Sequence, residues 1–144
     1  MATLIVLFGS LLLYRALGFF GVPQFDTWVE SGRFALSTMF LFTAISHFVP
    51  MRKDLIAMVP PELPRPDLLV FVTGVLEIAG AIGLLIDRTR EWAAWGLIAL
   101  LVSMLPANIS AARRGVKLRS RPVTGLWLRI PMQVLFIAWA WWVR

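Results

Sequence analysis

The chain has 144 residues, 59% of them apolar and only 15% charged, with a mean hydropathy of +0.79. A soluble domain this small has too much surface for its volume to hide that apolar content, and disordered chains lack it altogether. The composition therefore predicts one compact, all-α integral membrane domain over residues 1–144.

The net charge of +6 and the pI near 11.3 need no nucleic-acid partner. Lys/Arg enrichment of cytoplasmic loops produces the same excess in membrane proteins. With zero Cys there is no disulfide framework, thiolate metal site or CxxC redox pair.

Five apolar segments predict a polytopic bundle: residues 2–20, 33–49, 67–86, 92–109 and 124–143. Each has about the 17–25 residues that a helix needs to cross the hydrocarbon. The first lacks a basic leading region and an A-x-A cleavage site and carries Arg15, so it reads as a retained helix rather than a signal peptide. A half-span lying along the interface is its alternative. The stretch PMRKDLIAMVPPELPRP begins with an amphipathic turn, Arg52 to Val59, and then meets prolines that cannot continue a helix. It predicts a short interfacial helix and a stiff, extended return.

The stretch ARRGVKLRSR (Ala112–Arg121) carries Arg113, Arg114, Lys117, Arg119 and Arg121 with no acid. It reads as a solvated orientation signal or, more sharply, as a site for anionic lipid.

Five spans place this stretch, the 50–66 connection and the N-terminus on one side. That side also holds Arg52, Lys53 and Arg65, against Arg33, Arg88, Arg90 and Arg144 on the other. The positive-inside rule then puts the N-terminus in the cytoplasm and the C-terminus outside. Six tryptophans, Trp28, Trp92, Trp95, Trp139, Trp141 and Trp142, fall near the outer side, as an aromatic belt would.

Ionisable groups within spans are costly and mark function. The candidates are Arg15, His47, Glu77, Asn108, Arg129 and Gln133. Glu77 lies ten residues into its span, roughly 15 Å deep. His47, Asn108, Arg129 and Gln133 come from other spans and converge on the inner half. Arg15 sits in the outer half.

Pro106 and Pro131 free the carbonyls four residues earlier, those of Val102 and Trp127, which must find polar partners in lipid. The small residues Gly74, Gly80, Ala81 and Gly83 around Glu77 allow a neighbouring helix to approach. Glu77 and Arg129 read either as a structural ion pair or as a ligand or proton site. One His and one Glu fall short of a transition-metal site, and soluble-enzyme motifs are absent, which leaves no catalytic assignment.

Ser46-His47-Phe48 followed by PMRKDLIAMVPPELP, TGVLEIAGAIGLLI with Glu77, LPAN with Asn108 and LRIPMQ before a tryptophan-rich tail resemble the DoxX-like family of small bacterial membrane proteins. The resemblance runs from about Arg33 onward. It implies a four-helix bundle to which the first span is an addition, and a place in the bacterial inner membrane. It further implies His47, Glu77 and Asn108 as motif positions and a link to quinone-dependent membrane oxidoreductases.

Three functions compete. The first is a subunit that binds a quinone or lipid-like molecule in a pocket of His47, Glu77, Asn108, Arg129 and Gln133. The second is a scaffold that anchors a soluble oxidoreductase by its basic loop. The third is a small transporter, for which no internal repeat speaks.

Overall fold

The computed structural model describes residues 2–118, 121–122 and 125–144, with the backbone alone at 118, 121 and 122. Six α-helices make up nearly all of it: α1 Ala2–Phe19, α2 Trp28–Ile45, α3 Arg52–Met58, α4 Pro66–Leu84, α5 Arg90–Arg113 and α6 Leu126–Trp142. Two-residue strands, Lys117–Leu118 and Arg121–Pro122, pair antiparallel between α5 and α6. Three helices, α1, α4 and α5, are long and apolar enough to cross a membrane.

The expected span at 33–49 is shifted. Its helix α2 begins at Trp28, because Thr27 caps it by accepting a hydrogen bond from the Glu30 amide (3.2 Å). That start adds a polar first turn with Glu30 and Ser31, which lowers the hydropathy of α2. The expected span at 124–143 is a helix of 17 residues, at the short end of what crosses hydrocarbon; Thr124 lies outside the described residues. Arg119 of the basic stretch does so as well.

Helices α2, α4, α5 and α6 form the bundle in that order around its axis, with α1 packed along α2. Small residues set the close approaches. A Cβ on Gly80 would lie 2.5 Å from Leu97 Cδ2, and one on Gly83 would lie 2.8 Å from the Ala93 Cβ. The small stripe on α4 thus receives α5, as expected. The circle closes between α2 and α6, where Trp139 Nε1 donates to the Gly32 carbonyl (3.0 Å) and the Trp142 ring fills the space above Gly32. Trp139 is therefore a contact within the bundle. Leu7, Leu36, Met39, Leu84, Leu97 and Val143 are fully buried in the core that these helices share.

Charges at the far end of the bundle serve the fold. Arg15 donates to the Phe25 carbonyl (3.3 Å) and lies over the rings of Phe19 and Trp28. Arg33 is buried and pairs with Glu30 (3.4 Å) and Asp87 (3.6 Å), joining α2 to the end of α4. The short helix expected from Arg52 to Val59 forms as α3. Arg114 holds it by donating to the carbonyls of Ala57, Met58 and Val59 at 3.1, 2.9 and 3.0 Å. Those are orphan acceptors at a helix C-terminus, where a cation is favoured twice over. Arg114 is thus an exposed loop charge that also clamps α3.

A polar and methionine-lined cavity at the candidate functional site

The site begins where α2 ends. Pro50 disfavours helical geometry at the residue before it. The amides of Ser46, His47 and Phe48 instead bond the carbonyls three residues back, at 2.9, 3.0 and 3.1 Å. This tightened turn carries His47 across the face of α4, where Gly74 makes room for it. A Cβ on Gly74 would stand 2.5 Å from the His47 Cβ and 2.8 Å from its Cγ. Gly74→Ala is expected to displace the imidazole at a cost of about 1–3 kcal/mol. The histidine ring resonances, read by NMR, would move with it, and unchanged shifts would show that Gly74 has no such role.

His47 and Glu77 are both only 5% exposed. His47 Nδ1 lies 2.7 Å from the Val70 carbonyl. A carbonyl only accepts, so Nδ1 carries the hydrogen and Nε2 is the nitrogen that changes protonation. It faces Glu77 Oε1 at 3.6 Å. Thr43 Oγ1 donates to the other oxygen, Oε2, at 2.9 Å and also lies 3.0 Å from the Phe40 carbonyl. The one hydroxyl hydrogen can therefore turn either way.

Across from it runs a second polar group. Arg129 Nη1 donates to Asn108 Oδ1 (2.6 Å), Asn108 Nδ2 donates to Gln133 Oε1 (3.4 Å), and Gln133 Nε2 donates to the Leu101 carbonyl. These bonds stitch α6 to α5 around Pro106. The carbonyl that Gln133 reaches is Leu101, one residue before the expected Val102. Of the two readings of Glu77 and Arg129, the ion pair is not found among the described residues: Glu77 takes His47 and Thr43, and Arg129 bonds Asn108.

All five predicted residues, His47, Glu77, Asn108, Arg129 and Gln133, line one cavity of about 520 Å³. That is the size of a small-molecule site. Arg15 is remote from it. Two features escaped the sequence reading. Thr43 carried no signal, being an uncharged residue within an apolar run. The methionines Met39, Met51, Met58, Met104 and Met132 all line the cavity, and the chain has only six. Their spacing shows no period, so nothing local announces that they meet. Flexible, polarisable thioethers make a wall that adapts to the shape of an apolar guest and contacts rings favourably. Among the described residues, no cluster of His, Cys, Asp and Glu could hold a metal ion.

A family model described as a domain of unknown function, DUF8561, matches residues 36–144. No curated protein and no solved structure matches the chain. The matched region takes in α2 from Leu36 onward, α3 to α6, and every one of the five polar cavity residues. The chain belongs to the DUF8561 family.

Proposed function

We propose that this protein is a membrane-embedded binding subunit for an apolar molecule with a polar head, a quinone or a lipid-like compound, serving a membrane oxidoreductase system. In this reading all five long helices cross the bacterial inner membrane, with the N-terminus in the cytoplasm and the C-terminus outside. The resemblance to DoxX-like proteins supports it. So does one structural observation above the others: two separate polar groups converge on a single cavity whose remaining wall is mostly apolar, with five methionines and three phenylalanines in it. The head would sit between Arg129 with Asn108 on one wall and His47 with Glu77 on the other, its tail against the thioethers. Arg129 would stabilise partial negative charge on a carbonyl oxygen, and Glu77 would exchange a proton with the ligand.

Photo-crosslinking with an azido-quinone in proteoliposomes tests the reading. Labelling is expected on peptides from α2, α5 and α6, and should fall about tenfold in Glu77→Gln and Arg129→Ala, roughly 1.4 kcal/mol of binding each. Labelling that ignores both substitutions would overturn it. The scaffold alternative predicts the reverse pattern, with partner binding lost on changing the basic stretch and no response at Glu77.

A further inference from the structure

The way a ligand would reach the cavity is written in its rim. Ala2 and Thr3 come from the first turn of α1, Phe42 and Ile45 from the last turn of α2, and Val49 from the turn after it. Phe42 is 45% exposed and Ile45 58%, although both border a cavity whose polar groups are buried. Exposed apolar side chains on the flank of a helix that crosses a bilayer face lipid, whereas an opening onto water would be rimmed by polar groups.

The pattern of contacts along α1 agrees. Its second half is fixed to the bundle: Tyr14 hydrogen-bonds Thr38 (2.8 Å) and packs on Phe25 and Phe34, and Arg15 bonds the Phe25 carbonyl. Its first two turns have no side-chain hydrogen bond to another helix among the described residues. The hydroxyl of Ser10 turns back on Val6 and Leu7. The end of α1 that borders the cavity is thus the end held by apolar contacts alone. This end also lies outside the stretch that matches the family, which begins at Leu36.

We infer that the cavity is loaded sideways from the bilayer, between the first turn of α1 and the last turns of α2, with α1 as the movable wall. The inference rests on the reading of the cavity as a binding site and narrows its occupant to a molecule dissolved in the membrane. Water-soluble anions and metabolites are excluded as ligands by this route.

The absence of cysteine makes a ligand-free test clean. Met104→Cys and Met132→Cys each place one thiol in the cavity wall, and either variant suffices if the other fails to fold. In proteoliposomes, a bilayer-partitioned pyrene maleimide and a membrane-impermeant sulfonated maleimide are compared, each normalised to Glu62→Cys in an exposed loop. The lipid-soluble reagent is expected to react at least about tenfold faster than the charged one, about 1.4 kcal/mol in barrier. Adding Thr3→Trp should plug the opening and slow it by a similar factor, while Leu13→Trp, on the outward face of α1, leaves the rate unchanged. Comparable normalised rates for the two reagents would place the opening on water and overturn the inference. A Thr3→Trp variant with undiminished labelling would remove α1 from the route. Because no quinone is used, a failed azido-quinone experiment overturns the proposed function and leaves the measured route into the cavity standing.

Discussion

Glu77→Ala is expected to lower the stability of the bundle by about 3 kcal/mol, because it strands two partners at once. His47 Nε2 loses the acid 3.6 Å away, and Thr43 Oγ1 loses one of its two acceptors. Glu77→Gln retains the Thr43 hydrogen bond and gives up only the charge, so it should cost roughly 1 kcal/mol, the scale of a single interhelical hydrogen bond in a membrane protein. A double-mutant cycle with His47→Ala, read from unfolding in mixed micelles, isolates the pair. Coupling of about 1 kcal/mol or more is expected between positions 47 and 77. Coupling near zero would mean that the two groups occupy one cavity without sensing each other. Arg129→Ala combined with Glu77→Ala should couple more weakly, since no ion pair or hydrogen bond joins these two residues although they share the cavity, and that contrast separates the observed pairing from the one that charge alone suggested.

The contrast also shows where sequence reading reaches its limit. Helices α1, α4 and α5 are legible because their apolar runs are long and each tolerates its few polar residues, and Pro106 does not interrupt α5 even though it removes a backbone bond. The bounds of α2 were less so: Thr27 starts the helix within a polar stretch, and a hydropathy pattern does not register a cap. Likewise, the inward convergence of His47, Glu77, Asn108, Arg129 and Gln133 follows from their depth along each span. Their partners do not follow, because opposite charge is only one reason for groups to meet. His47 reaches Glu77 because Gly74 leaves space and Pro50 tightens the turn, which are steric facts about two other residues. Arg33 and Arg114 gain partners that charge counting does not reveal: Arg33 is buried on Asp87, and the exposed Arg114 holds three carbonyls of α3.

The second large effect concerns Asn108, the link between Arg129 and Gln133. Asn108→Leu removes an acceptor from Arg129 and a donor from Gln133 together, and should cost about 2–4 kcal/mol, since both partners keep the expense of burial without their bonds. Asn108→Asp separates fold from function. Its carboxylate still accepts from Arg129, now as a charge-assisted bond, while the donor to Gln133 is lost, so the change in stability should stay within about 1 kcal/mol. Yet a carboxylate on the Oδ1 atom, 2.6 Å from Arg129 Nη1, neutralises the positive charge that the proposed ligand head would face. Azido-quinone labelling should therefore fall about tenfold in Asn108→Asp, with the thermal midpoint near that of the parent chain. Labelling that survives in Asn108→Asp would show that the Arg129 charge serves the α5–α6 contact alone, and would move the polar head to the His47–Glu77 wall.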